Sequence, residues 1–449
     1  MFRRKKNKNN QKDSSEKIKR KGKAVSGEVS EKKRKLAPEP VQSSTQISEP
    51  KKQIFPLRKR KKKASAVEYA EAGADIYRAK GSIDRPMLVI ILLLICFGSI
   101  MVFSASYAYA LDEMNDSYYF IKRQIAFALV GLAIMFGVSL VDYRHIRNFT
   151  PLYFAVSLLL LVAVLVLGVA EGEAVRWIDL GLFAFQPSEI MKLGLVLMLS
   201  WYYSLTEKQV RTKKFWKSSA FGTFIPLAIV AVVCVLIALE KHISGTIIMF
   251  AIGMVVIFVA GGKLVWFGAA SGAFVAAVAA IIAFTDYATK RLDIWLHPEN
   301  YSVQSEVWQT LQGLYAIGSG GFFGVGLGNS RQKHLFVSQP QNDFIYAIVG
   351  EELGFVGAML VIVLFMVFIW RGLVIAKRAP DTFSKLAATG IVAKVGIQAL
   401  LNIAVVTNSM PNTGISLPFF SYGGTALLIL FLEMGVLLSI SRYSYLQKQ

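Results

Sequence analysis

Residues 343–371 read DFIYAIVGEELGFVGAMLVIVLFMVFIWR. Between Asp343 and Arg371 only Glu351 and Glu352 are charged, over a stretch longer than the about 20 residues a helix needs to cross hydrocarbon. An acid at the water–bilayer boundary is costly to hold, which makes Asp343 a candidate functional residue. An Asp directly before an apolar helix can equally be its N-cap, accepting from orphan backbone N–H groups. Glu351, about two turns in, falls about 80° round the helix from Asp343, and Glu352 points nearly opposite. Glu351 is therefore the one of the pair that can share a site with Asp343, or it simply hydrogen-bonds within the bundle.

Working outward, runs 87–108, 120–141, 151–170, 186–204, 219–239, 244–260, 264–285, 384–408 and 417–440 have the same apolar character. With 343–370 they give about ten spans, and the expected class is an all-α polytopic membrane protein. Of the 449 residues 54% are hydrophobic and mean hydropathy is +0.48, which excludes an ordinary water-soluble domain. The net charge of +21 belongs mostly to the start of the chain: residues 1–86 hold 26 Lys and Arg against 10 Asp and Glu. Residues 1–85 are accordingly expected to be a disordered basic cytoplasmic tail, and 86–449 the membrane domain. Clusters such as Arg58 to Lys63 suit contact with anionic lipid, and no nucleic-acid role is expected. Cys96 and Cys234 both sit in apolar runs, so no disulfide framework is expected.

Lys and Arg in the short connections are concentrated on the side shared with the tail, which puts both termini in the cytoplasm and the long 286–342 segment outside. Within that segment Val303, Val307, Leu311 and Leu314 recur at helical spacing, beside Trp308 and Tyr315. This reads as an amphipathic helix at the outer interface. A Gly-rich run from Gly318 to Gly328 follows, closed by Arg331 and Lys333. Its glycines permit sharp turns and exposed N–H groups that can cradle an anion, and the two cations suit phosphate oxygens. Turn geometry alone explains the glycines equally well.

Other charged groups fall on the same outer side. Arg176-Trp177 precedes the fourth span, which opens Gln186-Pro187-Ser188-Glu189-Ile190-Met191-Lys192. Glu189 and Lys192 are three apart and can pair on one helix face inside the bilayer. That pair reads either as a brace for the bundle or as part of a site. His242, in the turn Glu240-Lys241-His242, has no metal partner at ligand spacing. The stretch from Pro411 to Gly424 is too rich in Pro and Gly for a regular helix and needs protein or a cavity to satisfy its backbone.

These motifs, in this order, resemble the SEDS family (shape, elongation, division and sporulation), the FtsW/RodA-type peptidoglycan glycosyltransferases. The elements that carry the resemblance are Arg176-Trp177-Ile178, Gln186-Pro187-Ser188-Glu189 with Lys192, Ala316 to Gly321, Asn342-Asp343-Phe344-Ile345, Gly350 to Gly354, and Pro418-Phe419-Phe420-Ser421-Tyr422-Gly423-Gly424. It covers about residues 87–443, and the run from Gly326 to Lys333 is most like the FtsW branch. The chain departs from the family's Gln-Pro-Asp-Leu-Gly-Thr-like turn, showing Lys241-His242-Ile243-Ser244-Gly245-Thr246 instead.

The resemblance implies polymerisation of lipid II outside the membrane with release of undecaprenyl pyrophosphate, during septal wall synthesis. Asp343 is then the catalytic acid residue, with Arg176, Trp177, Glu189, Lys192, Arg331, Lys333, Glu351 and Ser421 as substrate-binding candidates. A divalent cation, Mg or Mn, is an optional helper at the pyrophosphate, and no ligand cluster calls for one. A class B penicillin-binding protein and other division-machinery proteins are the implied partners. A lipid II flippase, a RodA-like elongation or sporulation polymerase and a non-catalytic division scaffold are the competing readings.

Overall fold

The computed structural model describes residues 81–444 apart from 172–173, 180, 182–183 and 303–306. The expected tail therefore lies, as far as residue 80, outside the described residues. The helices are α1 (Arg85–Met114), α2 (Tyr119–Leu140), α3 (Tyr143–Leu167), α4 (Pro187–Val210), α5 (Phe215–Leu239), α6 (Ile243–Val259) and α7 (Leu264–Phe284). Two shorter helices follow, α8 (Asp286–Leu296) and α9 (Trp308–Gly320), and then α10 (Ile345–Lys377), α11 (Thr382–Val406) and α12 (Gly424–Ser441). Among the described residues eight helices are long and apolar enough to cross a membrane, and α6 is a shorter apolar one. The remaining expected span, the fourth in chain order, is α4, which has the length but carries Glu189, Lys192, Glu207 and Lys208.

One element was not legible in the run of spans. Between α3 and α4 the chain forms a small antiparallel sheet, β1 (Val169–Glu171), β2 (Ala174–Asp179) and β3 (Ala184–Phe185). It places Arg176 and Trp177 on a strand rather than in a loose turn. The interface helix also differs from expectation: it begins at Trp308, with Val307 as its cap, while Val303 lies outside the described residues. The third span begins earlier than its apolar run, at Tyr143, and the twelfth helix later, at Gly424.

Ion pairs and caps gather at one end of the bundle. Asp84 caps α1 by accepting from the Met87 N–H at 2.9 Å, and pairs with Arg371 of α10, Nη2 to Oδ2 2.6 Å. The Tyr143 hydroxyl donates to Asp381 at 2.9 Å, and Asp381 in turn caps α11. Gly81 N–H donates to the Arg442 carbonyl at 2.8 Å, so the first and last described residues meet at this end. An even number of crossings follows directly.

Helix α5 passes through a π-turn at Ala220–Phe224 just before Pro226. Pro226 has no N–H, so the Gly222 carbonyl needs another donor, and the Tyr203 hydroxyl supplies it at 2.8 Å. One buried apolar core joins α1, α2, α10, α11 and α12; a second joins α4, α5 and α6. Helix α7 stands at the periphery, with only Ala270 buried among its residues.

The long stretch 343–371 is not one unbroken helix. Gly354 takes φ +65°, a conformation costly for any residue with a Cβ, and kinks α10. The kink frees the Glu351 and Glu352 carbonyls, and the Gly-rich loop satisfies them: Val325 N–H donates to Glu351 O and Gly326 N–H to Glu352 O, both at 3.0 Å. In return Phe355 N–H donates to Gly321 O at 2.9 Å and Val356 N–H to Phe322 O at 3.2 Å. The glycines of residues 318–328 therefore serve backbone-to-backbone weaving at a broken helix.

Candidate functional site

At the end of the bundle opposite Asp84, a cavity of about 720 Å³ is bounded by α2, β2, α4, α8, α11 and the segment 411–424. Asp343 lines it, together with Arg176, Trp177, Glu189 and Lys192 from the sequence candidates. Arg123 of α2, Arg291 of α8, His242 and Gln398 are among the other charged and polar lining residues. Four cationic side chains against two carboxylates make this a site for anions. Glu189 already holds Lys192 at 2.6 Å, which leaves Arg123, Arg176 and Arg291 to share the cavity with Asp343, its second acid.

Asp343 does not cap α10. The N-cap position is occupied by Phe344. What fixes Asp343 is its backbone: the Asn402 amide of α11 donates to the Asp343 carbonyl at 2.7 Å and to the Ile415 carbonyl at 2.6 Å. The facing wall is Gly414, at φ +64°, where a Cβ would lie 3.2 Å from Asp343 Oδ2. Gly414→Ala is expected to displace the carboxylate and strain the turn, lowering activity about tenfold while leaving substrate affinity within about twofold. Initial rates over a substrate series separate the two effects.

The irregular segment 411–423 holds this wall because neighbouring elements take up part of its polar backbone. Ser244 Oγ donates to Thr413 O at 2.9 Å, Gln398 Nε2 to Ser416 O at 3.1 Å, and Tyr422 N–H to Gln341 O at 2.8 Å. Ser421 belongs to this stitching rather than to the cavity lining. Its hydroxyl donates to Asn342 O at 2.8 Å and accepts from Leu417 N–H at 2.7 Å.

Three further candidates lie elsewhere. Lys333 is buried, 2.9 Å from Glu352 Oε1, and also donates to the Gly328 carbonyl at 2.6 Å. Glu351 accepts from the Ser330 hydroxyl and from Arg331 N–H at 2.8 Å. Arg331 is exposed, and neither it nor Lys333 nor Glu351 lines the cavity. The anion that the loop N–H groups cradle is thus the protein's own: Glu351 and Glu352 take the place the sequence assigned to a substrate phosphate. A cation buried against its own carboxylate, as Lys333 is against Glu352, is not available to a ligand, and Arg331 is exposed outside the cavity lining.

Arg123, Arg291 and Asn402 were missed as site residues. Arg291 sat in a segment without an apolar run, where helix α8 was not foreseen; its guanidinium donates to the Asn412 carbonyl at 3.0 Å. The signal for it was the alternation of charge and apolar residues over 286–296. Asn402, a polar residue in the middle of an apolar helix, was the signal for the second.

The turn at 240–242 forms another wall. Glu240 is almost wholly buried, and neither carboxylate oxygen has a protein partner. Burial pushes its carboxyl up to about 8, against a smaller opposing pull from Arg176. Burial likewise pushes His242 down to about 3, with Arg176 and Lys192 pressing the same way and Glu189 opposing. His242 is therefore a neutral imidazole in a cation-lined cavity. Among the described residues no group of three or more His, Cys, Asp or Glu could hold a metal ion.

Fold and site together define a multi-pass helical membrane protein with a cation-rich cavity holding two acids, Asp343 and Glu189, at one end of its bundle. The FtsW, RodA and SpoVE family profile, described as "Cell cycle protein", matches residues 85–446, and the chain belongs to that family. Stage V sporulation protein E of Bacillus subtilis (strain 168) is 40% identical over 81% of this chain and 98% of its own length. The probable peptidoglycan glycosyltransferase FtsW of Trichlorobacter lovleyi is 37% identical over 80% of this chain and 93% of its own. Among solved structures, RodA of Thermus thermophilus superposes with a TM-score of 0.60 at 25% identity, over 81% of this chain and 98% of that one. A chain from a structure described as structural coordination of polymerization and crosslinking by a peptidoglycan synthase complex gives a TM-score of 0.64 at 25% identity, over 80% of this chain and 98% of that one.

Proposed function

We propose that the chain is a peptidoglycan glycosyltransferase that polymerises lipid II on the outer face of the cytoplasmic membrane. The observation that carries this reading is the union, in one cavity, of the Asp343 carboxylate with Arg123, Arg176, Arg291 and Lys192. Glycosyl transfer from a lipid diphosphate needs both chemistries. A base takes the proton from the acceptor 4-hydroxyl as it attacks the anomeric carbon, and cations hold the departing diphosphate. Asp343 is the base; the arginines and Lys192 face the diphosphate. A divalent cation, Mg or Mn, at the pyrophosphate stays an optional addition.

The names of the relatives support the activity, and the helical bundle supports a multi-pass membrane location. The cytoplasmic placement of both termini and the septal site of action belong to the proposal, as does pairing with a class B penicillin-binding protein. That pairing is supported by the likeness to a chain of a peptidoglycan synthase complex. The sporulation name of the 40% identical relative favours a second reading, wall synthesis during sporulation. Depletion followed by cell imaging separates the two by whether septation or spore formation fails. The activity itself is tested with purified protein and lipid II, resolving glycan polymer on a gel. Wild-type protein that binds lipid II or carries it across vesicles without forming polymer, in the presence of its transpeptidase partner, would leave the flippase reading in its place.

A further inference from the structure

We propose that Glu189, Lys192, Lys394 and Glu433 form an ion-pair relay that releases Lys192 to a lipid-linked diphosphate by handing Glu189 over to Lys394. The inference rests on the cavity being a diphosphate site, and it adds two residues that do not line it.

The four groups come from three helices, Glu189 and Lys192 from α4, Lys394 from α11 and Glu433 from α12, and all four are buried. Lys192 Nζ lies 2.6 Å from Glu189 Oε1 and 3.2 Å from Gln398 Oε1. The other oxygen, Glu189 Oε2, faces Lys394 Nζ at 4.0 Å. Lys394 makes its close pair with Glu433 Oε2 at 3.0 Å, while Glu433 Oε1 is buried with no hydrogen-bond partner. Two cations thus balance two carboxylates, and Glu189 stands between two lysines, bonded to one and just out of reach of the other.

A carboxylate at this depth cannot be left alone, because the penalty for an uncompensated buried charge is several kcal/mol. Lys192 faces the cavity and is the cation that an incoming anion would attract. Without a replacement, Glu189 would hold it back. Lys394 is that replacement: closing about 1 Å brings it to bonding distance of Glu189 Oε2 and still leaves it within ion-pair reach of Glu433 Oε2. Glu433 sets how readily the exchange occurs by competing for Lys394. Lys394 and Glu433 act through Glu189 and Lys192, so they are positioning residues. A mere brace between α11 and α12 would have no preferred sign of effect on ligand affinity; the relay has one.

The test is binding of undecaprenyl diphosphate in detergent micelles to the full chain, by calorimetry, with melting temperature as the check on folding. Glu433→Gln removes the competitor, so Lys394 turns to Glu189 and affinity rises about fivefold. Lys394→Leu with Glu433→Leu keeps a packed, uncharged core, so the fold is retained and affinity falls about tenfold. Opposite shifts support the relay; equal affinities, or shifts in the same direction, overturn it. Should the double variant fail to fold, Glu433→Gln decides alone, and unchanged or weaker binding overturns the proposal. Wild-type protein that does not bind the diphosphate would instead remove the site reading, and the relay with it.

Discussion

Asp343→Asn yields a folded protein that binds lipid II and makes polymer at least about 10²-fold more slowly, within the 10²–10⁴ that a positioned base contributes. Folding is expected to survive because the contact anchoring residue 343 is made by its backbone: Asn402 donates to the Asp343 carbonyl, which Asn retains. The N-cap position of α10 is Phe344, which the substitution leaves unchanged. Asn is close in size and preserves the volume of the cavity wall facing Gly414. What it lacks is an acceptor able to take a proton. Asp343→Ala should fall to the same residual rate, since orientation and cation stabilisation stay intact in both. Rates on lipid II with purified wild type and both variants, alongside melting temperatures, check this. Equal polymer in all three would end the assignment of a base at this position.

The opposite ordering of effects is expected at the arginines. Arg176→Gln or Arg291→Gln removes charge from the diphosphate side and leaves the base in place, so both binding and turnover suffer. The contrast between these variants and Asp343→Asn maps the two chemistries onto the two halves of the cavity.

Much of this architecture was legible in the chain because a bilayer enforces simple patterning. Apolar runs announced the crossings, and charged residues inside them, Glu189 and Lys192, announced the cavity floor. Asp343 was found from its place at the edge of such a run, and Arg176 and Trp177 as site candidates from the family resemblance. Legibility failed where backbone conformation decides the outcome. Gly354 reads as one more small residue in an apolar helix, yet its positive φ breaks the helix and draws the Gly-rich loop onto it. Asp343 itself lies outside the helix, which starts at Ile345 after the Phe344 cap, so a helical wheel drawn from residue 343 does not place Glu351, whose carboxylate the Ser330 hydroxyl and the Arg331 N–H hold. Arg291 and Asn402 were missed because their roles depend on partners more than a hundred and about sixty residues distant respectively, at Asn412 and Asp343.

Lys333 supplies the clearest separation between a ligand for substrate and a lock for the fold. Lys333→Met is expected to lower the apparent melting temperature by about 10 °C, from a loss of about 3–5 kcal/mol. The side chains of Lys333 and Glu352 are 3% and 0% exposed, so removing the cation strands a carboxylate in a dry interior. Ser104 Oγ, 2.6 Å from Glu352 Oε2, and the Ser330 N–H remain as donors but bring no compensating charge. Adding Glu352→Gln to the same protein removes that charge and still offers an oxygen to Ser104 and Ser330. The double variant should therefore recover most of the lost stability. A cation that instead bound pyrophosphate would show the reverse pattern: Lys333→Met would weaken lipid II binding with no change in melting temperature, and Glu352→Gln would rescue nothing. Because the loop closes over the kink in α10, and that helix begins two residues after Asp343, loosening it should also slow polymerisation. That slowing should track the melting temperature across the series, which ties the loop to catalysis only through the position of the helix.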